Sequence, residues 1–374
     1  MFSGFPLNKK IGQHWFALHP KAMLFAFLSL VLLTIIAENY VLSGNFLKLP
    51  LSWQLIDEAD SGGYIPYRIA DAAQNKRKSV ALVGGSRMGQ AIFSETDIRQ
   101  SLNNLDVLLL NTNTQTLGQS LSIVNSLELP EGSLVLMQSN IARFSYGQKE
   151  LKKDLNDRHI MYIDYSPLNQ LKKELGLSSS YERWQPDLYL HRSRIALFTD
   201  VKKRNIACFI LSEWSPIPLP FPFPLSAEHK SCFPEIAFNQ MLYFTGDPMT
   251  EQKKQFTQLR ISRTSRFTNF EKNKTFSMDM VRRISQIAND RKWKFLLIHL
   301  PIDSHAIELN QQYQAEYDTA LKELEESDIF QVDLHDDSRF SDQDFYDLYH
   351  FLDSGREKFK PILIDIINQQ MELT

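Results

Sequence analysis

Two short stretches of this chain hold residue types that together can carry out acyl transfer. Val83-Gly84-Gly85-Ser86-Arg87 closes an apolar run and is followed by Gly89 and a helical pattern. A serine flanked by glycines just past a strand can project its hydroxyl from a tight turn, with its backbone N–H facing the same pocket. A nucleophile beside an oxyanion site needs that arrangement. Far along the chain stands Asp344-Phe-Tyr-Asp347-Leu-Tyr-His350. An Asp three residues before a His lets the carboxylate fix the imidazole tautomer and stabilise the imidazolium. The other ring nitrogen is then free to take the serine proton. Each stretch alone is common; a serine after the first strand together with Asp-x-x-His before the last helix is far more telling.

In that pairing the chain resembles the SGNH (GDSL-like) hydrolase superfamily. The resemblance implies Ser86 as nucleophile, His350 as base and Asp347 as the orienting acid. It also implies oxyanion donors: the N–H of Ser86 and, in the third-strand block Gln138-Ser139-Asn140, the side chain of Asn140. The second-strand block, Asn111-Thr-Asn-Thr-Gln-Thr-Leu-Gly118, has no glycine at the expected place, which leaves Thr116 or Gly118 as substitutes. The resemblance covers about 79–140 and 290–374. A single membrane anchor and the Gly-Gly-Ser-Arg turn are similar to envelope acyl-transfer proteins, among them those of alginate O-acetylation and of D-alanyl transfer to lipoteichoic acid. Such proteins work beside a multi-span membrane-bound O-acyltransferase.

The expected function is therefore a serine O-acyltransferase or esterase acting on ester groups of a cell-envelope polysaccharide. Its partner would be an acylated glycan or acyl donor, and no cofactor is required. The alternative is a catalytically inactive scaffold in a polysaccharide modification or export complex. Arg87 is a candidate for binding an anionic substrate group, or else pairs with a nearby aspartate; Tyr349 is a candidate pocket wall. Trp184 and Trp214 are candidates for stacking on carbohydrate. His299 and His305 are six residues apart, a spacing that fits no common metal motif. Asp336, Asp337, Asp342 and Asp344 lack the spacing of a calcium loop, so no metal is expected.

Five apolar runs must position these residues: Ser79–Gly84, 106–110, 133–137, 294–300 and 329–334. Helical patterns lie at about 94–102, 117–127, 278–291, 306–326 and 355–371. Short buried strands alternating with helices predict an α/β protein, a flavodoxin-like three-layer α/β/α fold around a parallel sheet. Residues at about 145–275 break the rhythm and read as a large insertion, including a proline-alternating run at 216–225 that forbids both helix and central strand. Open sheets of this kind place ligands at the carboxyl ends of their strands, where Ser86 would emerge.

Hydrophobic residues make up 43% of the 374 and charged residues 23%, an ordinary globular mix. With 41 Lys plus Arg against 44 Asp plus Glu there is no basic surplus for phosphates, and nucleic acid is excluded as a partner. The stretch from Ala22 to Ala37 holds no charge and, with Tyr40–Leu42, approaches the ~20 residues that cross a bilayer. Lys9, Lys10 and Lys21 precede it and Glu38 follows, which by the positive-inside rule puts 1–21 in the cytoplasm, 22–42 in the inner membrane and the remainder outside it, in the periplasm of a bacterium. A cleaved signal peptide is the rival reading, though no small-x-small site follows. Residues 43–78 read as a stalk, with 79–374 as the catalytic domain. Outside the cytoplasm, Cys208 and Cys232 could pair or remain separate buried thiols.

Overall fold

The computed structural model describes residues 20–42, 65–102, 105–112, 115–156, 166–176, 247–262 and 269–372. Cys208, Cys232, Trp184, Trp214 and the proline run at 216–225 lie outside the described residues.

A five-stranded, all-parallel sheet forms the centre: β1 (Ser79–Gly84), β2 (Asp106–Asn111), β3 (Leu134–Ser139), β4 (Lys294–His299) and β5 (Phe330–Asp333), in spatial order β2-β1-β3-β4-β5. The register aligns Val83 with Leu110 and Met137, so β1 and β3 end side by side. Because successive side chains of a strand point to opposite faces, each apolar run feeds two cores. Ala81, Val83, Leu108, Val135 and Leu297 face one; Val80, Leu82, Val107, Leu136 and Ile298 face the other. This is the α/β class expected from the alternation of apolar runs.

Helices cover both faces. On the first lie α5 (Leu117–Ser126), α9 (Phe270–Asp290) and α10 (Ser304–Glu325), which contribute Leu121, Val124, Val281, Ile284 and Leu321 to the core. On the second lie α3 (Ser86–Gln90), α4 (Glu95–Ser101) and α11 (Asp353–Glu372), through Met88, Ile98, Phe359 and Leu363. Within the stretch read as an insertion, α6 (Gln148–Asn156), α7 (Ser166–Glu174) and α8 (Glu251–Ser262) are helical.

The last part of the stretch read as a stalk, 43–78, includes a helix packed on the body. Residues 65–72 form α2 (Ile65–Ala72), whose Ile65, Arg68 and Ala72 are buried against the body. Arg68 pairs with Glu95 and donates to the carbonyl of Val107 at 3.3 Å, fixing α2 to β2. With three inward residues in only eight, it gives too brief a periodic signal to be read from sequence.

Residues Pro20–Leu42 form one 23-residue helix, α1. Its described side chains run from Leu24 to Ile36, Thr34 excepted, and Leu24, Phe25, Phe27, Leu30 and Leu33 are more than half exposed. Among the described residues no helix is long and apolar enough to cross a membrane.

Candidate active site

Local sterics fix the nucleophile turn. A Cβ on Gly84 would stand 2.5 Å from that of Met88 and 2.8 Å from Oε1 of Gln138, so only glycine lets β1 turn directly into α3. The N–H of Gly85 donates to that same Oε1 at 3.0 Å, pinning the turn to β3. Ser86 is then the first residue of α3, where a backbone N–H has no helical partner.

The base arrives on a loop shaped by its own aspartate. Phe345 and Phe351 form an isolated antiparallel bridge, and the N–H of Tyr346 donates to the carbonyl of His350 at 2.8 Å. At the tip, Oδ1 of Asp347 accepts the backbone N–H of Tyr349 at 2.8 Å and of His350 at 2.9 Å, the geometry of an Asx turn. The same carboxylate receives Nδ1 of His350, 2.9 Å from Oδ2. With Nδ1 carrying the proton to Asp347, Nε2 is left as acceptor, and it lies 3.0 Å from Oγ of Ser86. Burial acts to raise the Asp347 pKa, but hydrogen bonding and attraction from His350 outweigh it and hold the carboxyl below its ordinary range. The acid of this triad is therefore ionised at neutral pH.

Arg356 and a cluster of three phenylalanines tie the halves together. Arg356 of α11, fully buried, donates from Nε to the carbonyl of Gln90 at 2.9 Å and from Nη2 to that of Phe351 at 3.1 Å. It thus bridges the end of the serine helix and the loop that carries the histidine. Phe345, Phe351 and Phe359 pack with ring centroids 5.2–5.6 Å apart beneath that loop.

Ser86, Arg87, Thr116, Asn140, Asp347, Tyr349 and His350 line one cavity of about 590 Å³ at the carboxyl ends of β1 and β3. Asn140 caps the 3₁₀ turn Ile141–Ser145 by accepting the N–H of Arg143 on Oδ1 at 3.1 Å, which leaves its amide nitrogen for the cavity. Arg87 does not pair with an aspartate: Nη2 donates to the carbonyl of Leu300 at 3.2 Å, and the guanidinium lies 4.9 Å over the Tyr349 ring.

The substitute donors in the second block behave differently from expectation. Thr116 caps α5: its Oγ1 accepts the N–H of Gln119 and donates to Asp154 at 2.6 Å, while its own N–H donates to Gln119. Both of its donors are committed, the N–H within the capping box and the hydroxyl to Asp154. Gly118 is buried and is not among the cavity's lining residues, because the Tyr146–Asp154 pair lies over it. Neither residue is placed as an oxyanion donor. A Cβ on Gly118 would collide with Oη of Tyr146 and Oδ2 of Asp154. Gly118→Ala is therefore expected to cost about 1–3 kcal/mol of stability, read by urea denaturation, and an unchanged midpoint would contradict this packing.

Sequence reasoning passed over Arg143. It stands three residues after Asn140 and returns to the same cavity through the 3₁₀ turn; the Asn-x-x-Arg spacing was the available signal. Its burial first, and then the charge of Arg87, lower its pKa to about 10. Arg87 is likewise lowered by burial, against the raising influence of Tyr349 and Asp347. Both remain cations at neutral pH.

The remaining histidines take other roles. His299 is buried, bonded through Nδ1 to the Tyr317 hydroxyl at 2.7 Å, and kept neutral because burial lowers its pKa to about 4. His305 belongs to a clasp between α8 and α10: Asp303, fully buried, pairs with Lys254 and accepts His305 Nδ1 at 2.8 Å, while Glu251 pairs with Nε2. Asp303, His305 and Asp342 place ligand-type atoms within 4.8 Å of one another, yet Lys254 and the Ser304 N–H and hydroxyl already engage the two carboxylates. Burial of His305 acts to lower its pKa, but bonds from Asp303 and Glu251 raise it above its ordinary 6.5. Since the folded-state pKa is the higher one, this group stabilises the fold below the unfolded value, and the gain is lost as pH rises through the folded value. The melting-temperature advantage of wild type over His305→Asn is expected to shrink as pH is raised through and beyond 6.5; a pH-independent difference would refute it.

No family model, curated protein or solved structure matches the chain.

Proposed function

We propose that this protein is a membrane-anchored serine acyl-transfer enzyme, an O-acyltransferase or esterase of the SGNH type, acting on ester groups of a cell-envelope polysaccharide. The observation that carries this reading is the unbroken chain Ser86 Oγ–His350 Nε2 at 3.0 Å and His350 Nδ1–Asp347 at 2.9 Å, opening into one cavity. In the first half-reaction Ser86 Oγ attacks the acyl carbonyl as its proton passes to His350 Nε2. The N–H of Ser86 and the amide of Asn140 hold the oxyanion. The tetrahedral species then collapses, and His350 returns the proton to the departing alkoxide. In the second, His350 deprotonates water or a sugar hydroxyl, which attacks the Ser86 ester and releases the serine. Water gives an esterase; a sugar hydroxyl gives a transferase.

The anchor rests on α1. It carries the uncharged run from Ala22 to Ala37, and its large apolar side chains are exposed. Lys9, Lys10 and Lys21 before that run and Glu38 after it favour a cytoplasmic N-terminus and a periplasmic cavity beside the bacterial inner membrane. A multi-span O-acyltransferase delivering acyl groups through that bilayer is the proposed partner.

The direct test is mass spectrometry of the full chain in detergent after brief exposure to p-nitrophenyl acetate. An acetyl group on the peptide containing Ser86 is expected, absent in Ser86→Ala. No adduct, or the same adduct in both proteins, overturns the enzymatic reading. The committed Thr116 and covered Gly118, the two substitute positions of the second block, favour an inactive scaffold in that event.

A further inference from the structure

Two arginines of the body spend their N–H groups on carbonyl and carboxylate oxygens. Arg291 donates to the carbonyls of Val124 at 3.3 Å and Asn125 at 2.8 Å and also to Leu127; Arg356 donates to Gln90, Phe351 and Asp353. Arg143 breaks the pattern. It is 7% exposed, and its Nη1 reaches only the hydroxyl of Ser120, at 3.2 Å. Its Nη2 is buried with no partner. That nitrogen stands 3.8 Å from where a Cβ on Gly85 would lie, alongside the residue preceding the nucleophile. Arg87 has the same defect at a different atom: Nη2 is bonded to main-chain carbonyls, whereas Nε is buried and unpartnered.

No carboxylate among the described residues forms an ion pair with either guanidinium. Asp347 is the acid nearest in effect to Arg87, and it is engaged by His350. Glu150 lines the same cavity, with Oε2 accepting the Gly147 N–H at 3.1 Å. Arg260 adds a third positive charge to the cavity wall. Holding like charges together out of water without an anion is costly, and a guanidinium kept only for packing would spend its N–H groups on carbonyls as Arg291 does.

We infer that this cavity receives a substrate bearing an oxyanion group, a carboxylate or a phosphate, which Arg143 Nη2 and Arg87 Nε grip beside the reacting ester. Guanidinium donors suit such a group, since charge-assisted bonds to oxyanions are about twice as strong as neutral ones. This deepens the acyl-transfer reading and rests on it only for the identity of the ester.

The test uses full-length Ser86→Ala in detergent, titrated calorimetrically at fixed ionic strength with succinate, inorganic phosphate and the neutral analogue succinamide. Succinate or phosphate is expected to bind and succinamide not; whichever anion binds tighter identifies the group. Adding Arg143→Gln or, separately, Arg87→Gln should weaken the better anion at least tenfold, while Arg143→Lys keeps part of it. Relief of the mutual repulsion should leave Arg143→Gln melting no lower than its parent; if it fails to fold, the Arg87→Gln and Arg143→Lys titrations decide. Equal affinity for succinate and succinamide with no phosphate binding, or anion binding untouched by both arginine variants, overturns the inference. Because these titrations need no nucleophile, anion binding without a Ser86 adduct would sink the enzyme reading alone, and an adduct without anion binding would sink this one alone.

Discussion

Ser86→Ala and His350→Ala are each expected to lower the hydrolysis of p-nitrophenyl acetate by roughly 10⁴- to 10⁶-fold in kcat, and the double variant by no more than either alone. The reason is geometric. At 3.0 Å the imidazole accepts the serine proton directly, so removing either partner removes the same step. Asp347→Asn tests the third member. An amide in place of the carboxylate no longer holds the proton on Nδ1, and a loss of about 10⁴ is expected from the wrong tautomer. Its backbone bonds to Tyr349 and His350 can persist through the remaining carbonyl oxygen, so the melting temperature should move much less than the rate. Wild-type rates in all three variants would refute the triad. A loss matched by unfolding would refute only its catalytic interpretation, and circular dichroism at the assay temperature separates the two.

Lys254→Met is expected to carry the largest cost in stability, about 3–5 kcal/mol, because it strands the carboxylate of Asp303 in a fully buried position. For a body of this size that corresponds to a melting temperature lower by roughly 10 °C. Adding Asp303→Asn, which removes the charge and keeps a cap for α10, should restore most of the loss. A single variant within about 0.5 kcal/mol of wild type would show that the clasp is not a buried ion pair. The functional corollary follows from position: Thr257, Arg260 and Ile261 of α8 line the cavity, and Lys254 anchors that helix.

What the residues disclosed in advance, and what they withheld, divides along the reach of the forces involved. Ser86 was legible because Gly84-Gly85 announces a turn through sterics that act over two or three residues. Asp347 and His350 were legible because the Asx turn that joins them is equally local. Apolar runs located all five strands, with β1 exact and β4 ending one residue earlier than expected, at His299. The helix expected from 278 begins instead at Phe270, whose ring packs into the core near Tyr317 at 6.3 Å. Thr116 was misjudged although Thr-x-x-Gln is a capping signature within four residues. The place of Arg143 beside Asn140 had a local signal in the Asn-x-x-Arg spacing, but its unspent N–H had none. Whether a guanidinium N–H finds a carbonyl is settled by chain segments brought together in space, and no spacing reports it.

The stitch made by Arg356 also bears on when the proposed serine–histidine pair can assemble. Some 264 positions separate the alcohol from the imidazole, so a nascent polypeptide presents its hydroxyl long before anything can ionise it. Arg356 of α11 then ties the end of the serine helix to the loop that carries the histidine. On the proposed reading, a ribosome-stalled or proteolytically clipped fragment lacking that helix is expected to be chemically mute.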